Sequence, residues 1–239
     1  MRNVRLGKLM FGAIMLALAP MIARGGFAES DTAELRLHFV STAPGKPHAV
    51  PAVIWLEPVQ GTAALSFPSH GRFTLTQKNR MFTPHLLVVP VGAAVQFPNA
   101  DPFFHNVFSL FEGKRFDLGL YEAGSSKSVT FSREGVSYIF CNIHPEMSAV
   151  VLALSTPLYA VADANNAFAL RNIPPGDYQL HIWIEGIPQS VLEHESRPVR
   201  FPPLMVDLGE LAVPISRTGK SSHTNEFGNS YDPEPHQPY

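Results

Sequence analysis

Apolar and polar residues alternate along this chain in short runs, and proline or glycine cuts most of them before they reach helical length. A period of two sends successive side chains to opposite faces of a strand, whereas an amphipathic helix needs apolar residues three and four apart over several turns. With 22 prolines and 17 glycines among 239 residues, long helices have little room. The expectation is an all-β fold rich in turns. No segment beyond the N-terminal apolar run carries both helical period and caps.

The strands can be placed from the runs themselves. "ELRLHFV" (Glu34 to Val40) puts Leu35, Leu37 and Phe39 on one face, and "AVPAVIWLEP" (Ala49 to Pro58) is apolar enough to be buried. "GTAALSFPSHGR" reads as a loop. From about Phe73 the pattern tightens. "HLLVVPVGAAVQFPNADPFFHNVFSL" reads as strand, turn at Gly92, strand, loop and strand. Further strands follow near Ser128 to Phe131, Val136 to Cys141 and Ala149 to Leu154. A second set starts at Thr156. There "NIPPGDYQLHIWI" turns tightly into a strand with Tyr178, Leu180, Ile182 and Ile184 on one face, and two or three more strands run to about Val213. Short strands at regular intervals predict sandwiches or barrels. The polar, proline-bearing remainder from Ser216 to Tyr239 predicts disorder.

The N-terminus reads as an export signal. Arg2, Arg5 and Lys8 precede an apolar run from Leu9 to Ala23, and Gly26 and Ala28 supply small residues for cleavage after Ala28. The run is short for a membrane span and Pro20 interrupts it, which favours cleavage over a retained anchor. No later segment is long and apolar enough to cross a bilayer, so the expected location is periplasmic. Only 16% of residues are charged and the net charge is -2, which gives no footing for nucleic acid or an acidic substrate.

Export makes the single cysteine conspicuous, because exported proteins use cysteines in disulfide pairs. Cys141 lies in "FCNIHPEMSAV", three residues before His144 and six before Met147. A buried, inert thiol is the bland reading. The chemical one is a metal site. Thiolate and thioether are soft ligands that select Cu(I), imidazole suits Cu(II) as well, and two histidines with one cysteine and a weak axial methionine make a blue-copper site. The second histidine must come from elsewhere. His105, at a strand start in "DPFFHNVF" and 36 residues upstream (141−105), is the best placed. His85 reads as a surface or packing residue. His38, His48, His70, His181 and His194 have no ligand-like partner nearby in sequence, and His223 and His236 lie in the tail. Glu146 reads as a solvated carboxylate. Phe103, Phe104 and Phe108 read mostly as core, with Phe103 or Phe104 placed to cover the metal.

These residues carry a resemblance. Histidine-asparagine at a strand start, followed by glycine-x-tyrosine-x-x-cysteine-x-x-histidine-x-x-methionine, is similar to the cupredoxins, the small blue copper proteins of plastocyanin and amicyanin type. The likeness spans roughly Phe73 to Leu154. It implies an antiparallel Greek-key β-sandwich holding one copper ion through His105, Cys141, His144 and Met147, with methionine axial. It also implies that the Asn106 backbone N–H points at the Cys141 sulfur.

A second likeness lies downstream. "NAFALRNIPPGDYQLHIW" resembles the transthyretin-like, carboxypeptidase-regulatory type of β-sandwich through Phe168, Leu170, Ile173, Pro174, Pro175, Gly176, Tyr178 and Leu180. "LHFVSTAPGKPHAVPAVIWLEP" looks like the opening of that fold. The expected organisation is therefore a signal peptide (1–28), N-terminal strands belonging to the second sandwich (29–72), an inserted copper domain (73–155), the rest of the second sandwich (156–215) and a tail (216–239). In the rival arrangement Glu34 to Pro58 extends the copper domain.

The function this implies is a periplasmic, non-enzymatic carrier of single electrons. Its electrons would leave through His144, at a rim of Ile143, Pro145 and Met147, toward redox proteins such as a dehydrogenase donor or a cytochrome acceptor. The alternative is a copper-delivery protein, or a cell-surface binding module in which copper is secondary. Delivery sites tend to be methionine-rich, and this chain has only 7 methionines, several in the signal. An oxidase or reductase is disfavoured because no histidine-x-histidine pair offers further coppers a site.

Overall fold

Seventeen strands carry nearly all of the regular structure, which is a computed structural model describing residues 32–42, 49–62, 65–67, 71–110, 113–201 and 205–214. The signal segment, the tail, His48, His70, His223 and His236 lie outside the described residues. In chain order the strands are β1 (Ala33–Ser41), β2 (Ala52–Pro58), β3 (Phe73–Thr74), β4 (Thr76–Lys78), β5 (Met81–Thr83), β6 (Leu86–Pro90), β7 (Ala94–Pro98), β8 (His105–Ser109) and β9 (Phe116–Tyr121). They continue with β10 (Ser126–Thr130), β11 (Gly135–Phe140), β12 (Ser148–Leu154), β13 (Tyr159–Val161), β14 (Ala167–Ile173), β15 (Gly176–Ile184), β16 (Arg197–Phe201) and β17 (Val206–Val213). The all-β expectation is met. The exception is a short helix, α1 (Gln189–Leu192), running into a 3-10 turn at Glu193–Glu195, where no helix was predicted. No helix among the described residues is long and apolar enough to cross a membrane.

Four main sheets are layered through three apolar cores. The first two have strand orders β14-β1-β17 and β13-β2-β15-β16. Between them lie Leu35, Leu37 and Phe39 of β1, Ile54 and Leu56 of β2, Phe168 of β14 and Leu180 of β15. The other two have orders β6-β12-β11-β8-β9 and β10-β7-β3, and enclose Val95, Phe97, Val107, Ile139 and Val151. A third core joins the halves, with Val53 and Trp183 from one side meeting Val88, Val150, Leu152 and Leu154 from the other.

Middle sheets buried on both faces explain the sequence. On β2, Ala52, Ile54 and Leu56 face one core while Val53 faces the next. On β12, Ala149, Val151 and Ala153 face one core while Val150, Leu152 and Leu154 face the other. Such strands read as continuous apolar runs, "AVIWL" and "AVVLAL", whereas β1 alternates because only one of its faces is covered.

The pairing crosses the chain widely. β2 pairs antiparallel with β13 and β15, with Ile54 opposite Ala160 and Ile182. β1 pairs antiparallel with β14 and parallel with β17. The strands from β3 to β12 pair among themselves. A small hairpin, β4 and β5, turns through Asn79 and Arg80, both at positive φ (56° and 55°). This hairpin and β9 were not anticipated from sequence.

Candidate metal centre

The site forms where three neighbouring strands begin or end. His105 opens β8, Cys141 directly follows β11, and Met147 directly precedes β12. β11 and β12 are antiparallel with Phe140 opposite Ser148, so residues 141–147 are their connection. Two backbone bonds close that loop, from Cys141 N–H to the Met147 carbonyl at 3.3 Å and from Met147 N–H to the His144 carbonyl at 3.0 Å. β8 lies beside β11, with Phe108 opposite Phe140, which carries His105 to the same end.

Three donor atoms converge there. His105 Nδ1 lies 3.1 Å from His144 Nδ1, and Cys141 Sγ lies 3.8 Å and 3.6 Å from these two nitrogens. For metal bonds of about 2.0 Å to nitrogen and about 2.3 Å to sulfur, a trigonal arrangement gives edges of roughly 3.5 and 3.7 Å. The donor triangle therefore fits a single ion. Among the described residues this is the group of three or more histidine, cysteine or carboxylate side chains poised to hold a metal. Met147 is fully buried at the end of the loop, in the same apolar core as Cys141.

The surroundings suit a neutral His144 and a sulfur that needs a cation. Burial pushes the His144 pKa down to about 4, assisted by the nearby His105 and Arg80, so its lone pair is available at neutral pH. Burial pushes the Cys141 thiol up, while the backbone N–H groups of Asn106, Ile143 and His144 pull it the other way. The Asn106 N–H expected at the sulfur is thus present. The Asn106 side chain adds two clamps, accepting from the Asn142 N–H at 3.2 Å and donating to Asp117 of β9 at 2.7 Å.

Asp101 is a site residue that sequence reading missed. Its carboxylate, 5% exposed, lies 2.8 Å from Nε2 of the fully buried His105. Burial works to raise the Asp101 pKa, but the Arg80 N–H, the His105 ring and the Asn79 N–H outweigh it and hold the carboxyl below its ordinary value. Those two N–H groups, at 3.0 Å and 2.6 Å, come from the β4–β5 turn. The signal was a carboxylate four residues before a candidate ligand, and it gains meaning only once the hairpin closes over it.

The phenylalanines separate by role. Phe103 packs on both imidazoles, with ring centroids 5.2 Å from His105 and 5.7 Å from His144, and Arg80 lies over its face at 5.4 Å. Phe108 is core, but Phe104 is 56% exposed and is not. The expected rim around His144 is also corrected. Pro145 and Glu146 are exposed, Ile143 packs partly into the core, and Met147 belongs to the interior rather than the rim.

The remaining histidines stand elsewhere. His85 faces Glu185 at 2.8 Å and the Ser148 carbonyl at 3.1 Å, so it ties the two halves together rather than simply capping a strand. His38 contacts the Asn165 carbonyl at 2.9 Å, and His181 stacks on Trp55.

No protein-family model matches the chain, and no curated protein sequence matches it. Solved structures do, over part of its length. The purple cupredoxin from Nitrosopumilus maritimus is 24% identical, with 34% of this chain and 99% of that one covered and a TM-score of 0.32. The P94A mutant of amicyanin in its oxidized state is 22% identical, covering 35% of this chain and 83% of that one at a TM-score of 0.33. The copper-containing nitrite reductase from Thermus scotoductus SA-01 is 25% identical, covering 41% of this chain but 25% of that one at a TM-score of 0.34. The structures that this chain resembles in part are thus cupredoxins and a copper enzyme.

Proposed function

We propose that the chain is an exported blue-copper protein that carries single electrons between periplasmic redox proteins. In this reading His105, Cys141, His144 and Met147 would hold one copper ion, with Met147 the weakest of the four ligands. The observation that carries the proposal is the convergence of two Nδ1 atoms and one Sγ at 3.1 to 3.8 Å on a buried loop anchored by β8, β11 and β12. When bound, copper supplies a reversible one-electron couple between Cu(I) and Cu(II).

The chain's own part is to keep the ligand atoms still. Asp101 accepts from His105 Nε2–H, which leaves the Nδ1 lone pair facing the other donors. Phe103 wedges both rings, and the Asn106 clamps fix the Cys141 loop. A site so braced would change its geometry little between the two oxidation states, which keeps reorganisation small. The half-buried His144 beside exposed Pro145 and Glu146 is the route by which electrons leave.

The same proposal assigns the strands from Phe73 to Ser155 to a copper domain inserted in a transthyretin-like sandwich made of residues 29–72 and 156–215. The pairing of β1 and β2 with β13, β14, β15 and β17 supports it.

One spectrum tests the copper reading. Cu(II) added to the purified full chain is expected to give an intense band near ~600 nm from thiolate-to-copper charge transfer. Cys141→Ser is expected to abolish it. No band in the parent chain, or a band that survives in the variant, refutes the proposal.

A further inference from the structure

We infer that the seam between the two halves of the molecule is a binding site for a small organic ammonium ion. A cavity of about 340 Å³ opens there, far from a simple gap in size and at the lower end of what small-molecule sites occupy. Its walls come from both halves. Trp55 and Glu57 of β2, Trp183 of β15 and Gln189 of α1 line one side, and Glu134 and Tyr138, before and on β11, line the other.

The chemistry of those walls selects a cation. Trp55, Tyr138 and the almost fully buried Trp183 contribute aromatic rings to the wall, and Glu57 and Glu134 bring negative charge. No lysine, arginine or histidine is among the described residues that line the cavity. The indole donors are also committed within the protein. Trp55 Nε1–H donates to Glu57 at 3.2 Å, and Trp183 Nε1–H donates to the Tyr138 hydroxyl at 3.5 Å. Besides apolar side chains, the cavity is left with aromatic surface, the two carboxylates, the Tyr138 hydroxyl and the Gln189 amide. A neutral sugar leaves the charge of two carboxylates without a cation to match it. An alkylammonium group needs only acceptors or π faces.

The site is also built rather than incidental. Trp183 is 2% exposed, and Trp55 is held by a parallel stack on His181 with centroids 5.2 Å apart. Glu57 accepts from Trp55 Nε1–H, and its other oxygen lies 3.3 Å from His181 Nε2 without a hydrogen bond. Glu134 is fixed by the Ser155 N–H at 2.6 Å. None of these residues belongs to the metal centre, so the inference does not depend on copper.

The experiment uses an unusual convenience. The chain has two tryptophans, and both line this cavity, so intrinsic fluorescence reports on it directly. The full metal-free chain is titrated with choline chloride, with its neutral isostere 3,3-dimethyl-1-butanol and with glucose, following fluorescence and heat. Choline is expected to saturate both signals and to bind about tenfold tighter than the neutral isostere. Glu134→Gln, at an exposed position that retains an acceptor for Ser155, is expected to weaken choline several-fold. Trp55→Leu is expected to abolish binding and Trp55→Tyr to restore part of it. Equal binding of choline and the isostere, saturable glucose binding without choline binding, or no saturable signal from any probe overturns the inference. So does choline binding that Glu134→Gln and Trp55→Leu leave unchanged.

Discussion

Asp101 and His105 form a buried pair, with carboxylate oxygen and Nε2 2.8 Å apart, and the same carboxylate takes two backbone N–H groups from the β4–β5 turn. The ring is therefore oriented from behind by a group that is itself held in place. Asp101→Asn keeps the size but weakens this hold on the ring. Copper affinity is expected to fall about 10- to 100-fold, the scale seen when partners behind metal-bound histidines are changed. Competition with a chelator of known affinity measures it, and unchanged affinity shows that Asp101 only ties the hairpin down.

Met147 tests the axial role. Replacing its thioether by an amide oxygen in Met147→Gln is expected to retain copper and lower the reduction potential, because oxygen favours Cu(II). Each tenfold gain in preference for Cu(II) corresponds to about 59 mV for a one-electron couple. Voltammetry on both proteins decides the matter, and an unmoved potential removes Met147 from the ligand set.

Glu146 tests the exit route. It is exposed beside His144, so its charge falls on any partner that approaches that edge. Glu146→Lys is expected to speed oxidation by hexacyanoferrate(III) and slow oxidation by a cationic cobalt complex, each several-fold at low salt, with the colour intact. Stopped-flow rates that ignore the substitution place the exit elsewhere.

His85 makes stability depend on pH. The Glu185 carboxylate raises the His85 pKa above its ordinary value of 6.5, against the opposing pull of burial. A histidine whose folded pKa is raised stabilises the fold fully below its unfolded pKa. That contribution is lost as pH rises through the folded value. The two side chains are 41% and 31% exposed, so screening limits the gain to about 1 kcal/mol or less. Chemical denaturation of the parent and Glu185→Gln is expected to differ at about pH 5.5 and to converge near about pH 9. A constant difference means that the pair does not titrate.

Leu152 tests whether the halves are one cooperative body. It is fully buried in the core that joins them. Leu152→Ala is expected to cost about 2–5 kcal/mol. It is also expected to lower together the melting of the copper chromophore, which reports one half, and of tryptophan fluorescence, which reports the seam. Two separate transitions in the parent chain reject the idea.

Much of this molecule was legible because its strands are long enough to show a period. β1, β2, β6, β11, β12 and β15 each carry five or more residues, and on β1, β2, β12 and β15 the pattern of exposure follows the apolar residues. The loop from Cys141 to Met147 was legible because three metal-binding residue types crowd one short stretch. What escaped lacked local signal. β4 and β5 have three residues each, too few for a period, and their turn uses Asn79 and Arg80 at positive φ where glycine is the usual marker. β9 buries only Tyr121 fully and carries Gly119, so it reads as loop. Asp101 and the bridge from His85 to Glu185 depend on residues brought together by folding, the latter 100 positions apart.

The nesting of strand partners also predicts an order of events. Thr62, just past β2, bonds Asp177 of β15, 115 positions downstream, and β2 has no sheet neighbour nearer than β13. Until the later strands exist, β1 and β2 wait with unpaired edges. Strands β3 to β12 pair only with one another, so this middle stretch is expected to pair first, with the Val150, Leu152 and Leu154 face of β12 open until Val53 and Trp183 cover it. In that order, the bond from Leu56 N–H to the Leu158 carbonyl closes over a preformed unit rather than over a long flexible loop, which lowers the entropic cost of closure. The middle sandwich is then expected to act as a folding template for its neighbour.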